Sequence, residues 1–432
     1  MAQKKEKTAV VVPKEEQPYG VPENWLWVRL GNVIKSSKDK TDIFQDNSKY
    51  VSLENIEKDT GNISFQYAQE VKSTKSIFHN GDILYGRLRP YLNKHGLATF
   101  DGICSTDILV FKTNGLSFNK FVNYFFNLTY FIGFAVSNSK GINLPRVSEN
   151  VIFDAPFPLP PLPEQQRIVN IIESLFKDLD EAKERLLKVK KGFGERKAAL
   201  LHKAFTGKLT EKWRERNGVG LESWENVQLG ELTDIQSSKR VYKEDYVEEG
   251  IPFFRSSEVV ELYDKGTVEP KFFISYEKYN QLKENYGVPQ IGDMLVTSVG
   301  TIGKTWIVDE RQFYYKDGNL TQVVKNDKFL MQYLQKYMQS GEFQSQVNST
   351  VAGSAYNALT IVKFKNLIVP LPTLPEQKKI VSILNTVLSA EKEAEQKVDS
   401  VIEGIDLLKK SILARAFRGE LGTNDPMEEK AI

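Results

Sequence analysis

Side chains able to hold or read a polyanion concentrate near the start of the chain. Between Glu70 and Gly96 lie five cations, Lys72, Lys75, Arg87, Arg89 and Lys94, against two acids, Glu70 and Asp82, with His79 and His95 in the same stretch. Within it Tyr85, Arg87, Arg89, Tyr91 and Lys94 form a basic aromatic loop directly after a strand-like run. Arginine presents paired donors that match two acceptors on a guanine edge or a phosphate, and Lys, Ser and Thr supply phosphate contacts. An ordinary solvated loop is the competing reading. Ser36, Ser37, Lys38 and Lys40 make a second, weaker loop candidate. In the second half of the chain the corresponding positions are Ser237, Ser238, Lys239 and Arg240, then Arg255, Ser256 and Ser257, then Thr297, Ser298, Thr301 and Lys304. All of this is chemistry of hydrogen bonding and charge pairing, not of bond making.

Bond-making constellations are missing from the sequence. The single cysteine, Cys104, excludes an intramolecular disulfide and a cysteine metal cluster, and three scattered histidines build no metal site. Adenine methyltransferases carry Asn or Asp followed by Pro-Pro and an aromatic residue; Asp154-Ala155-Pro156-Phe157 lacks the second position and reads as linker. Gly303-Lys304-Thr305 ends like a phosphate-binding loop, but Ser298 stands where the first glycine is needed. A net charge of +2 confines any nucleic-acid surface to a local patch. With 41% hydrophobic and 26% charged residues and no apolar run of membrane length, a cytoplasmic globular protein is expected. The first 18 residues lack the apolar stretch of a signal peptide and are expected to be a flexible tail.

The elements that must position these loops come in two copies. Residues 158–209 return at 370–421: Pro158-Leu159-Pro160-Pro161-Leu162-Pro163-Glu164-Gln165 matches Pro370-Leu371-Pro372-Thr373-Leu374-Pro375-Glu376-Gln377, and Ala204-Phe205-Thr206-Gly207-Lys208-Leu209 matches Ala416-Phe417-Arg418-Gly419-Glu420-Leu421, always 212 positions apart. A duplicated unit predicts an internal pseudo-two-fold axis, which suits duplex DNA as a partner. Before each repeat lies a variable block. Trp25 to Gly31 matches Trp224 to Gly230 at a separation of 199, whereas Gly81-Asp82-Ile83-Leu84 matches Gly292-Asp293-Met294-Leu295 at 211, so the second block carries about 12 extra residues between them. Short strand-like runs and helical stretches at 118–136 and 329–346 make both blocks mixed α+β domains. The expected organisation is a tail at 1–18, domains at 19–157 and 214–369, helical regions at 158–213 and 370–421, and a tail at 422–432.

Leu-Pro-Glu-Gln opens each helical region, since proline is tolerated in a first turn and glutamate meets the positive end of the helix dipole. Beyond it Ile168, Ile172, Leu175, Leu179 and Leu186 in one copy, and Ile380, Leu384, Val387, Val398 and Ile405 in the other, recur at heptad steps. Helices of about 40 residues, about 60 Å long, follow. Either each packs on its own domain or, as the sustained heptad favours, they pair antiparallel as a coiled coil. Gly192 and Gly404 occupy equivalent helix positions and suggest close backbone approach. Glu391 interrupts the second seam, either to fix register or to meet another subunit. The stripe is wider near each helix start, where Val169, Ile171 and Phe176, or Val381, Ile383 and Leu388, need a second surface: the chain's own domain or a partner protein.

This order of motifs, over Trp25 to Leu421, resembles the specificity subunit of type I restriction-modification systems. The resemblance implies a non-catalytic reader, in which each α+β target-recognition domain reads one half of a split, asymmetric double-stranded DNA site and the helices set the gap. It also implies two methylation subunits docked on the chain, restriction and translocase subunits joining them, and S-adenosylmethionine, ATP and Mg on those partners, with no cofactor, metal or catalytic residue in this chain. A two-headed scaffold without a DNA role and a self-sufficient enzyme are the competing classes.

Overall fold

A computed structural model describes residues 11–58, 61–69, 73–351 and 358–430. Glu70, Lys72 and residues 1–10 of the expected tail lie outside them. The chain divides into two compact units: residues 1–186 with 399–432, and residues 187–398. Two long helices, Leu162–Phe205 and Leu374–Ala416, each supply residues to both units. The architecture is α+β, with two globular domains and two long antiparallel helices. Each compact unit takes one α+β domain, the opening of one helix and the close of the other.

Each domain is closed at its base by its own ends. In the first, Leu26–Arg29 pairs antiparallel with Pro156–Leu159; in the second, Glu225–Gln228 pairs antiparallel with Ile368–Leu371. Above the base sits a four-stranded sheet of the same order in both copies: Ile34–Ser36, Ile108–Thr113, Ile83–Gly86, His95–Leu97, and Ile235–Gln236, Leu320–Val323, Met294–Thr297, Thr305–Ile307. The Gly-Asp motif turns the chain into its central strand. Asp82 accepts the His79 N–H at 2.8 Å, and Asp293 accepts the Gln290 N–H at 2.8 Å, so these buried carboxylates cap turns.

The copies part company in a second sheet. The first domain has five strands there, with a parallel pair between Lys49–Val51 and Gly102–Cys104; the second has four, with a parallel pair between Ile251–Phe254 and Tyr314–Tyr315. Two helices, Ser256–Lys265 and Tyr276–Tyr286, occupy the region that holds the second domain's extra residues. The helical stretches expected at 118–136 and 329–346 are each broken in two, as Asn119–Phe125 with Thr129–Ser137, and Met331–Tyr337 with Gly341–Val351. In the first pair the Leu128 N–H turns back to the Phe125 carbonyl at 3.0 Å and Leu128 packs in the core, so burial sets the bend.

The helix seam is only partly what the heptad suggests. In the first unit Ile168 and Ile172 pack into the domain core beside Phe121, Phe125, Phe157 and the end of the other helix, Ile412, Leu413, Ala416 and Phe417, with Leu179 at its margin. In the second unit Ile380 and Leu384 do the same beside Leu201, Ala204 and Phe205. Leu175 and Val387, predicted in the seam, are 38% and 37% exposed, because the wide stripe at each helix start turns toward the domain. Val169 and Phe176, and Val381 and Leu388, meet those domain cores. Farther along, Leu186 and Val398 are half-buried and Ile405 is buried.

Ion pairs give the helix direction. In the first unit Lys183 meets Asp406 and Lys409 meets Asp180, so three steps forward on one helix match three back on the other. In the second unit Glu391 receives Arg196 Nε at 2.9 Å, and the polar break in the seam is thus an interhelical pair. The glycines do not mark close backbones. A Cβ on Gly404 meets nothing within 4 Å, and one on Gly192 meets only the Arg196 guanidinium. Gly404→Ala is therefore expected to raise stability by about 1 kcal/mol, helix propensity being the only change; a lower denaturation midpoint would restore the close-approach explanation.

Both expected tails begin or end in ordered contact with the first unit. Val12 is buried, its N–H donates to the Trp27 carbonyl at 2.9 Å, and Glu16 pairs with Arg29. At the other end Asn424 accepts from the Trp25 indole at 3.0 Å, and Glu428 takes both terminal nitrogens of Arg167 at 2.8 Å. Residues 11–18 and 422–430 are parts of the fold, because each makes hydrogen bonds to groups of the first unit.

Candidate nucleic-acid interface

The basic aromatic stretch of the first domain does not survive folding as one surface. Tyr85 is 1% exposed and packs among Phe126, Phe131 and Phe111, so it is a core residue and not a contact. Its place in the sheet explains this, since Ile83–Gly86 is an interior strand buried on both faces. His95 is buried against Asn123, and Lys75 is buried beside the Tyr50 ring. Lys94 gives its ammonium to the Leu53 carbonyl at 2.6 Å. What the loop presents outward is Arg89 and Tyr91, with Arg87 half-buried behind them.

Tertiary structure replaces the lost cations. The Arg89 N–H donates to the Pro145 carbonyl at 2.7 Å and the Val147 N–H donates to the Arg87 carbonyl at 3.0 Å, which seats residues 140–147 against the Arg87–Tyr91 loop. Lys140 and Arg146 thereby join Arg87 and Arg89. Ser37 is tied to the same sheet through its N–H to the Val110 carbonyl at 2.8 Å, and Lys38 reaches Glu149 at 3.0 Å, just beyond Arg146. Ser36 and Lys40 flank this edge, Lys40 exposed. Arg87 Nε is buried with no hydrogen-bond partner among the described residues.

The segment that carries Lys140 and Arg146 belongs to the repeat. The 212-residue separation extends upstream of Pro158, through Ser148 and Thr360 to Gly141 and Gly353 and Ser137 and Ser349. The fold repeats it as well: the Leu88 to Arg146 bridge has its counterpart in Val299 to Ala358, and the Leu359 N–H donates to the Ser298 carbonyl at 2.8 Å.

In the second domain several candidates converge on residues 314–319. Ser238 Oγ donates to the Tyr315 carbonyl at 2.7 Å, Arg240 pairs with Asp317 at 2.8 Å, Ser237 Oγ accepts from the Gly318 N–H, and the Ser298 N–H and Ser256 Oγ both reach the Asn319 carbonyl. Lys239 is exposed, its ammonium over the Tyr286 ring. Between them opens a cavity of about 250 Å³ lined by Lys239 and by Gln236, Tyr286, Tyr314, Tyr315 and Gln322, five polar and aromatic groups that the loop candidates did not include.

Others turn inward. Arg255 binds Glu258 at 3.1 Å and lies over the Phe272 ring, while Ser257 donates to the same carboxylate at 2.8 Å. Burial alone would raise the Glu258 carboxyl, but these hydrogen bonds outweigh it and hold the group below its ordinary range. Glu258 caps the start of the Ser256–Lys265 helix by accepting the Arg255 N–H at 2.9 Å, and the Arg255 and Ser257 side chains hold its carboxylate. Thr297 and Ser298 are buried and bond within the sheet, Thr297 to the Thr301 carbonyl and Ser298 to Thr321. Lys304 is held by Asp264 at 3.2 Å, and Thr301 is exposed.

The repeated Leu-Pro-Glu-Gln motif has a role beyond capping a helix. Gln165 accepts from Ser117 at 2.6 Å and donates to the Leu116 and Pro160 carbonyls; Gln377 accepts the Leu330 N–H and donates to the Pro372 carbonyl, both at 2.8 Å. The glutamates latch the end of the other helical region. Glu164 accepts from Thr423 and Arg167, and Glu376 accepts from Thr210, Arg214 and Trp224. Burial still leaves the Glu164 carboxyl raised above its ordinary range despite those donors. The glycine of Ala-Phe-x-Gly closes the latch: Gly419, at φ +74°, lies where a Cβ would come within 2.4 Å of Pro22.

Known proteins match this arrangement. The EcoDI type I restriction enzyme specificity subunit of Escherichia coli is 32% identical over 238 residues, 54% of this chain and 53% of that one, so the matched stretch spans about half of that relative. The MjaVIII specificity subunit of Methanocaldococcus jannaschii is 26% identical and covers 94% of this chain and 95% of its own. A chain from a structure on complex assembly and conformational transition of the type I R-M system superposes with a TM-score of 0.76 at 24% identity, over 94% of this chain and 100% of that one. The HsdS subunit of Thermoanaerobacter tengcongensis superposes with a TM-score of 0.60 at 24% identity, over 94% and 100%. Residues 22–190 and 221–403 each match the type I restriction modification DNA specificity domain, and the chain belongs to that family.

Proposed function

We propose that the chain is the sequence-reading subunit of a type I restriction-modification enzyme. One observation carries this: the two domains share a four-stranded sheet of identical order and differ in the sheet beside it, so a common frame presents two different sets of outward side chains. Two unlike readers on one chain fit a bipartite, non-palindromic double-stranded site. Direct contacts are assigned to Arg87, Arg89 and Tyr91 in one domain and Ser237, Lys239, Arg240 and Thr301 in the other. The chain catalyses nothing itself. Two methylation subunits dock on the long helices, where Leu187, Val189, Val387, Val401, Leu407 and Leu408 leave apolar surface in water. Those partners bring S-adenosylmethionine; restriction and translocase subunits bring the ATP and Mg chemistry. The work takes place in the cytoplasm.

Single-molecule sequencing of methylated adenines in cells carrying the chain with its methylation partner tests this. A split motif with unequal halves is expected; a continuous or palindromic one overturns it. In the same assay Arg89→Ala is expected to relax one half-site only, by about 1–3 kcal/mol where the guanidinium meets a base. An equal loss on every sequence would assign Arg89 to phosphate.

A further inference from the structure

Ile142 is 100% exposed, more than any other large apolar side chain among the described residues, and Leu144 beside it is 50% exposed. They are not on a loose end. Residues 140–146 form a tight hairpin: the Lys140 N–H donates to the Arg146 carbonyl at 2.9 Å, the Arg146 N–H donates back at 2.8 Å, and Gly141 takes φ +105° to make the turn. The Leu88 to Arg146 bridge fixes this hairpin to the Arg87–Tyr91 loop. A built hairpin that holds two apolar side chains in water keeps an unfavourable surface that a partner would relieve.

The surroundings identify the partner. Segments 86–91 and 140–147 carry Arg87, Arg89, Lys140 and Arg146 and no acidic residue. Arg146 meets Asp107 at 3.3 Å; Arg89 is exposed, has no ion pair among the described residues and holds a left-handed backbone at φ +52°. An apolar tip ringed by cations fits a surface that is anionic outside and apolar within, which is the description of a stacked duplex. We propose that Ile142 and Leu144 form a wedge that enters between base pairs of the first domain's half-site, next to the base edges that Arg87 and Arg89 read, while Lys140 and Arg146 hold the phosphates beside the opened step. This rests on the DNA-reading function proposed above and adds a mode to it: the first domain reads deformability of its half-site as well as base edges.

The test uses the chain assembled with its methylation subunits and duplexes of the mapped site, with 2-aminopurine placed in turn at each position of the first half-site. Binding is expected to raise fluorescence at one step, reporting lost stacking. The double variant Ile142→Ala with Leu144→Ala is expected to abolish that rise and weaken binding about tenfold, and Ile142→Leu to keep both. Both residues are exposed, so the variants leave the core untouched. Tight binding with no rise at any position, or a rise that persists in the double variant, overturns the wedge and leaves the bipartite function standing. Absence of sequence-specific binding by the unaltered complex overturns the function, and the wedge with it.

Discussion

Glu376→Ala is expected to cost the second unit about 3–5 kcal/mol, a large part of the stability of any domain. Glu376 is fully buried; its carboxylate takes Thr210 at 2.6 Å, Arg214 at 2.7 Å and Trp224 at 3.0 Å. Removing it leaves the Arg214 guanidinium, itself 8% exposed, without its counter-charge and strands two further donors. An uncompensated buried charge is what makes breaking such a pair so costly, whereas the intact pair contributes little net. Glu376→Gln keeps an acceptor and is expected to cost less. Hydrogen exchange locates the effect: residues 210–224 and 374–380 are expected to lose protection while residues 22–157 keep theirs. An unchanged denaturation midpoint, or loss spread evenly over the chain, would mean that the motif only starts a helix.

Phe417→Ala tests the equivalent joint in the first unit by packing instead of charge. Phe417 is buried with its ring 4.6 Å from Phe121, stacked, and 5.9 Å from Phe125. Cutting it to alanine is expected to cost about 3–5 kcal/mol, from lost transfer energy and a cavity that the aromatic cluster closes only in part. Urea unfolding followed with exchange in residues 119–137 measures it. A cost under about 1 kcal/mol would show that the end of the second long helix only rests on the domain.

Much of the frame was legible in the residues. The 212-residue separation located both long helices, and the Gly-Asp motif located the central strand of each domain, because helix starts and turns depend on local chemistry that neighbours in sequence already contain. The candidate interface was legible only as loops. Tyr85 and Thr297 point into cores, and Lys94 and Arg255 are engaged by Leu53 and Glu258.

From the order of residues alone follow the duplication, the two long helices and the divergence of the two domains; each rests on spacing or composition, which folding does not alter. Folding settled which cations face outward, that residues 11–18 and 422–430 are built in, that the glutamate of each repeat latches the far end of the other, and that Lys140 and Arg146 stand beside Arg87 and Arg89. The reason is physical: a side chain's availability depends on the groups packed around it, and those come from segments tens to hundreds of residues away, at separations that no local pattern encodes.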